Sequence, residues 1–285
     1  DEVMLYQTLF AIWPSTLELS DQAALAALEE RVQAWQQKSV REAKRYSGWL
    51  EPNEPYEAAC RQFLSMLLGG DGAEFVREMK ALVGGMAAAA AVKSLSQLLL
   101  KLTAPGLPDL YQGTELWDFS LVDPDNRRPV DYVLRAALLG ADDRDADCLQ
   151  HWQDGLVKLR LLSRVLAARA RALQLFTDGS YLPLSVSGSD GQGHLAFARQ
   201  WGDAKAIVVV PLRPAAAWLD QSTLESQATD KSFEIELPQA WPAAMPWRGV
   251  LSGQSLTTTQ GKVAPSLHRW PCELLIADEG VKPLP

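Results

Sequence analysis

The sequence predicts an α+β protein of two domains, because the hydrophobic pattern changes once along its 285 residues. Up to about residue 176, apolar side chains recur at three- and four-residue spacing, the period of helices lying against a core. From Asp178-Gly179 onward the pattern alternates, and Gly, Pro, Asp and Ser clusters cut it into short runs, as turns separate antiparallel strands. The expected division is a mainly helical domain over 1–176 and an antiparallel β domain, a sandwich, over 177–285.

The helices follow in order. Leu5 to Trp13 is a short apolar helix that Pro14 must end, since proline brings no amide hydrogen and biases its predecessor away from helix. Ser20 or Asp21 caps a second helix, with Leu25, Leu28, Val32 and Trp35 on its core face and Glu29, Glu30, Gln36 and Gln37 toward water. Gly48, Pro52 and Pro55 break the next stretch, and Asn53 or Glu54 caps a helix running through Tyr56, Phe63 and Leu67. After a turn at Gly69-Gly70-Asp71-Gly72, Phe75, Met79, Leu82 and Val83 form a stripe. The alanine-rich run Met86 to Val92 and Leu95, Leu98, Leu99 and Leu102 then continue it as a buried helix that stops at Pro105-Gly106.

Leu107 to Tyr111 is short and apolar enough for a covered strand of a parallel sheet. Tyr132 to Leu139 is a short helix, Ala141 to Asp147 an acidic linker, and Leu149 to Leu175 a long amphipathic helix. Lys158, Arg160, Arg164, Arg169 and Arg171 lie largely on its outer side. Strands are expected at Tyr181 to Val186, His194 to Arg199, Ala206 to Val210, Ser232 to Leu237, Arg248 to Leu251, Ser255 to Thr259 and Glu273 to Ala277.

Composition excludes several function classes. A net charge of −8 with acids and bases interspersed offers no footprint for nucleic acid and no basic face for a membrane. The longest apolar runs, Met86 to Val92 and Ala206 to Pro211, fall short of a bilayer span. Cys60, Cys148 and Cys272 are far apart and odd in number, which fits a reduced, cytoplasmic setting. No phosphate loop, nucleophile elbow or metal-ligand spacing occurs, so no cofactor and no metal are expected; His151, His194 and His268 are read as core or surface residues. A start at Asp1-Glu2-Val3-Met4-Leu5, neither initiator methionine nor signal peptide, suggests a piece of a longer protein.

Two stretches carry candidate chemistry. Residues 103–132 collect Asp109, Glu115, Asp118, Asp123, Asp125 and Asp131 beside Tyr111, Trp117, Phe119, Arg127 and Arg128. Paired carboxylates among aromatics are what glycosidic chemistry requires, one as nucleophile and one as proton donor. The same acids can instead pair with the arginines to hold the loop in shape. The second stretch is 41–57, where Trp49, Tyr56 and neighbouring basic residues can line a sugar subsite or simply staple a helix-loop-helix corner. Asp123-Pro124-Asp125-Asn126 is similar to the start of a calcium loop but lacks its glycine and final glutamate, which leaves an Asx-type turn.

These residues also support a family resemblance. Gly106-Leu107-Pro108-Asp109-Leu110-Tyr111-Gln112-Gly113-Thr114-Glu115 resembles the Gly-x-Pro-x-x-Tyr-x-Gly-x-Glu pattern at the eighth strand of α-amylase-superfamily barrels. Its continuation from Leu116 to Tyr132 resembles the maltooligosyl trehalose synthases in particular. So do Arg41 to Lys44, Trp49, Pro52-Asn53-Glu54, Tyr56-Glu57, Ser94 to Gln97, Lys101 to Thr103, Trp152, Asp154-Gly155, Gly179 to Leu184 and His194 to Arg199. The likeness runs to about residue 212, with departures at Tyr46 and Gly48.

The resemblance implies the C-terminal part of a (β/α)8 barrel, eighth strand included, followed by the sandwich. It implies an intramolecular transglucosylation that turns the reducing-end α-1,4 linkage of a maltooligosaccharide into an α,α-1,1 linkage. The Asp/Glu/Asp trio of that retaining reaction is expected upstream, on parts of the barrel this chain packs against, so the chain alone is expected to hold no catalytic residue and to be inactive. The residues expected to bind substrate or brace the cleft are Tyr111, Gln112, Glu115, Asp123, Arg127 and Arg128, then Lys44, Trp49, Asn53 and Tyr56. The alternatives are a non-catalytic glucan-binding or scaffold module using the ten tryptophans, or another α-amylase-superfamily hydrolase or transferase.

Overall fold

The helical period of the first hundred residues is realised as four α-helices, α1 (Glu2–Ile12), α2 (Gln22–Ala43), α3 (Glu54–Leu68) and α4 (Ala73–Thr103). The computed structural model describes residues 1–14, 17, 18, 20–141, 147–225 and 233–277. Local chemistry sets the boundaries. The Asp21 carboxylate accepts from Ala24 N at 2.9 Å and Asn53 Oδ1 from Tyr56 N at 3.2 Å, each satisfying an orphan amide at a helix start. Pro14 follows the end of α1, as expected.

The chain forms two compact units, Asp1–Gly85 with Asp118–Asp131, and Met86–Trp117 with Tyr132–Pro285. The boundary expected at 176/177 falls within the second unit. Helix α4 belongs to the first unit as far as Gly85 and to the second from Met86.

In the first unit Leu5, Leu9, Trp13, Leu25, Leu28, Val32, Leu64, Leu68 and Leu121 share one apolar cluster. Gln36, expected in water, is buried: it falls on the core side of α2, between Val32 and Val40. By length and composition the helical stretch Gly70–Thr103 is long and apolar enough to cross a membrane, contrary to the expectation from its shorter Met86 to Val92 run. Val92, Leu95, Leu99 and Leu102 on it are fully buried in the second unit's core, as in a core helix of a globular fold.

The second unit continues with α5 (Tyr132–Leu139), α6 (Leu156–Arg171), α7 (Leu173–Thr177) and the short α8 (Ala215–Trp218). The long helix expected over Leu149 to Leu175 is interrupted. Gly155 takes φ +82°, and a Cβ there would sit 3.1 Å from Leu116 Cβ, so the chain turns through a position only glycine fits and α6 starts after it. Arg160 and Arg169, expected outside, are buried, because their guanidinium groups serve backbone carbonyls rather than water. Residues 142–146 of the expected acidic linker lie outside the described residues.

Strands β1 (Ser180–Leu184), β3 (His194–Trp201), β4 (Ala204–Pro211), β9 (Glu273–Ala277), β6 (Pro246–Gly249) and β7 (Ser255–Thr257) form one sheet in that order. Strands β2 (Val186–Gly188), β5 (Phe233–Glu236) and β8 (Lys262–Val263) form a second. The expected Tyr181 to Val186 run divides between the two sheets at Ser185. Arg248 to Leu251 is shifted, β8 was not expected, and Ser232 lies outside the described residues.

The alternation shows how the layers form. Phe197, Val208, Val210 and Leu274 pack with α4 and α6 residues, while Ala198, Ile207, Val209 and Leu275 pack with Phe233, Ile235 and Val263 of the second sheet. The larger sheet is therefore covered on both faces, which explains the continuous apolar run of β4.

Every ladder among the described residues is antiparallel. The parallel strand expected at Leu107 to Tyr111 is absent there. No described strand pairs with it, and Leu107 is 90 % exposed rather than covered. Without a neighbour to complete a ladder, an apolar pentapeptide stays irregular.

Candidate functional site

The stretch 104–131 has no helix or strand to hold it beyond one short 3-10 turn, Asp125–Arg127, so its backbone groups need other partners. They are largely basic side chains. In the second unit α4 ends with its carbonyls satisfied one by one. Thr103 Oγ1 donates to Leu99 O at 2.6 Å and Ala104 N to Leu100 O at 2.8 Å, Arg169 Nη1 serves Leu102 O at 2.7 Å, and Arg199 Nη1 serves Thr103 O at 2.7 Å. The chain leaves through Gly106, at φ +119°, whose carbonyl accepts from Arg169 Nη2 at 3.3 Å.

Farther along, Arg135 donates to Gly113 O and to Glu115 Oε2, both at 2.8 Å, and Lys158 donates to Leu116 O at 2.9 Å. Trp117 Nε1 donates to Trp152 O at 2.7 Å. Tyr111 and Gln112 lie between these anchors, their side chains exposed. Glu115 is braced rather than free.

In the first unit, residues 118–131 depend on α2. Arg31 grips Asp125 with Nε at 3.0 Å and Nη2 at 2.9 Å and also donates to Phe119 O at 2.5 Å. Lys38 Nζ donates to Asp123 O at 2.6 Å. Asp125 accepts as well from Leu121 N at 2.6 Å, and Arg128 lies 3.2 Å from its other oxygen. Burial pushes the Asp125 carboxyl up, but the Arg31 and Leu121 hydrogen bonds and the charges of Arg31 and Arg128 outweigh that and hold it below its ordinary value. Asp123 pairs with Arg127, which is 70 % exposed.

The α2–α3 corner is organised by a residue outside the expected set. Buried Glu57 accepts from Arg41 Nε at 2.7 Å and Nη2 at 2.8 Å, from Ser47 Oγ at 2.6 Å and from Gln37 Nε2 at 3.1 Å. The Arg41 and Ser47 hydrogen bonds hold its carboxyl down at about 2, against the opposing effect of burial. The Arg41 guanidinium also lies 5.1 Å from the Trp49 ring centroid, and Trp49 remains 55 % exposed. Lys44 ends α2 at φ +54° with its side chain in water, and Asn53 is a helix cap. The Tyr56 ring lies 5.0 Å from that of Tyr46, and its hydroxyl donates to Asp1.

The arrangement thus separates the ten expected residues by role. Glu115, Asp123, Arg127, Arg128 and Tyr56 are engaged by neighbouring side chains and Asn53 caps a helix, whereas Tyr111, Gln112, Lys44 and Trp49 present exposed groups. The residues missed are Arg31, Lys38, Arg135, Lys158, Arg169 and Arg199. Two signals were available: Arg31 and Lys38 lie seven apart, on one face of α2, and Arg199 shares a strand face with inward Phe197.

Comparison with known proteins places the chain. No protein-family model matches it. A curated Mycobacterium tuberculosis protein named as a maltooligosyl trehalose synthase is 38% identical over 205 residues, 72% of this chain and 24% of the relative, and its counterpart in a second strain matches equally. Most of the chain is related to one segment of the maltooligosyl trehalose synthases. It spans about a quarter of the length of those curated relatives. The solved maltooligosyltrehalose synthase of Arthrobacter ramosus superposes with a TM-score of 0.70 at 27% identity, over 97% of this chain and 32% of that one. A Sulfolobus tokodaii structure described as a hypothetical maltooligosyl trehalose synthase shares the fold at a TM-score of 0.64 and 24% identity, over 96% of this chain and 32% of that one. The tryptophans show no row of binding rings. Of those beyond residue 177 only Trp201, at 45 %, is exposed among the described residues, and Trp218, Trp241, Trp247 and Trp270 are buried.

Proposed function

We propose that this chain is a segment of a maltooligosyl trehalose synthase that shapes the reaction cleft without performing the bond exchange. The reaction of the whole protein is an intramolecular transglucosylation, moving the reducing-end glucose of a maltooligosaccharide from an α-1,4 to an α,α-1,1 linkage. In this reading residues 1–176 supply the last part of a (β/α)8 barrel with a helical insertion, 107–111 gains its ladder from a barrel strand outside this chain, and the two antiparallel sheets of 177–285 form a β-sandwich.

One observation carries the division of labour: Glu115, Asp123 and Asp125 are each paired with arginine. A retaining glycosidase needs two carboxyls about 5–5.5 Å apart, one nucleophilic and one with a raised pKa. Asp125 is shifted the opposite way. Glu115, Asp123, Asp125 and their arginines are therefore read as the frame, and the reactive Asp/Glu/Asp trio is assigned to other parts of the protein. Tyr111, Gln112, Lys44 and Trp49 are the groups left to meet sugar.

The test compares this chain with the longer protein containing it, each incubated with maltopentaose and assayed for loss of reducing ends. The longer protein is expected to turn over and the chain alone to be inert. Turnover by the chain alone sinks the division of labour, and an inert longer protein sinks the assigned reaction.

A further inference from the structure

We infer that Arg169 and Arg199 are positioning residues, which set the path of 104–112 and so the placement of Tyr111 and Gln112; their effect on catalysis rests on the reaction proposed above. Both guanidinium groups are buried, and among the described residues the hydrogen-bond acceptors of both are backbone carbonyls. Arg199 ties Thr103 O at 2.7 Å to Gly179 O at 2.7 Å and Ser180 O at 3.2 Å, joining the end of α4 to the start of β1. Arg169 spans the bend itself, holding Leu102 O at 2.7 Å on one side and Gly106 O at 3.3 Å on the other.

Stability alone is a poor account of this pair. Burial disfavours the charge of each, the Arg169 charge further disfavours that of Arg199, and among the described residues neither pairs with a carboxylate. A buried charge is by itself weak evidence for a stabilising role, although removing it leaves its carbonyl partners unpaired. What apolar side chains cannot supply is direction. A planar fork fixes the positions of the carbonyls it binds, and here those carbonyls bracket the exit from a helix. Farther on, Leu110 packs against the core cluster, Thr114 Oγ1 holds Tyr111 O at 2.7 Å and Arg135 holds Gly113 O. Leu107, Tyr111 and Gln112 stand exposed outside helix and strand, and the Gly106 end sets where this run begins.

The experiment uses Arg169→Lys and Arg199→Lys, which keep the charge and lose the fork. Amide hydrogen exchange is followed in this chain, and kcat and KM for maltopentaose are measured in the longer protein, scaled to the folded fraction. The expected result is exchange at 104–112 at least about 10-fold faster while β3 and β4 keep their protection, and kcat/KM per folded molecule about 100-fold lower, the scale of an ångström-sized misplacement. A merely structural role lowers the folded fraction and leaves the kinetics of folded molecules and the local exchange unchanged; that outcome overturns the inference. If Arg199→Lys does not fold, Arg169→Lys decides alone. If the wild-type longer protein does not turn over maltopentaose, the proposed reaction fails, while unchanged exchange at 104–112 still overturns the positioning role and local acceleration still supports it.

Discussion

The two halves of 104–131 are held by the same residue types in different electrostatic settings. The 104–117 half is pinned mainly through carbonyls, by Arg169, Arg199, Arg135 and Lys158. The 118–131 half is pinned mainly through a carboxylate, with Arg31 and Arg128 converging on Asp125, while Lys38, one Arg31 nitrogen and Arg128 Nε also reach carbonyls. A carbonyl anchor is indifferent to pH, whereas a carboxylate anchor holds only while ionised. The difference teaches that charge in a loop motif need not signal charge chemistry. In one half it satisfies orphan backbone, in the other it neutralises an acid that a glance at composition takes for catalytic.

The largest way to break the comparison is at the carbonyl end. Arg199→Leu leaves the buried Thr103 carbonyl and the partly buried carbonyls of Gly179 and Ser180 without this donor, and since a fully buried unpaired acceptor costs about 1–3 kcal/mol, urea unfolding should show a loss of roughly 3 kcal/mol. A neutral outcome would mean that the carbonyls find water or the chain relaxes.

Next is Arg31→Ala, which removes a bidentate ion pair and a carbonyl bond from a partly buried site. Its expected cost is about 2 kcal/mol in the same titration. Asp125→Asn should weaken the same half and leave the exchange protection of 104–117 unaltered.

The pH contrast comes third. Glu57 has an ordinary value of 4.5 and is held at about 2 in the fold, so the stability it contributes is complete above pH 4.5 and is lost as pH falls toward 2. Asp125, also lowered, contributes in the same sense. Acid titration monitored by segment should therefore loosen the α2–α3 corner and 118–131 before 104–112. Glu57→Gln should flatten the stability slope across that acid window. The smallest effect is expected for Arg127→Ala, whose exposed pair with Asp123 should change stability by no more than about 0.5 kcal/mol.

Much of the fold was legible because its signals are local. Asp21 and Asn53 were readable as caps, Pro14 as a stop, and the start of β strands at residue 180 from the change of period. The Leu149 to Leu175 helix misled because its apolar spacing runs straight through Gly155. The glycine's significance lies in its positive φ and in Leu116, some forty positions earlier, which a Cβ at 155 would crowd at 3.1 Å. Gln36 misled for a related reason: polarity suggested water, and the packed face of α2 decided otherwise.

The sequence by itself determined most of the helices and strands, though not the break at Gly155, the irregular 107–111 or β8, and it showed that acids and arginines crowd into 103–132. Tertiary structure alone decided which arginine serves which acceptor. Arg31 meets Asp125 across ninety-four positions and Arg199 meets Thr103 across ninety-six. Separations of that length carry no periodic signal, because only the packing of α2 and of β3 brings the groups within hydrogen-bonding distance. That pairing is the ground for the proposal that this carboxylate-rich loop is a frame rather than a site of bond cleavage.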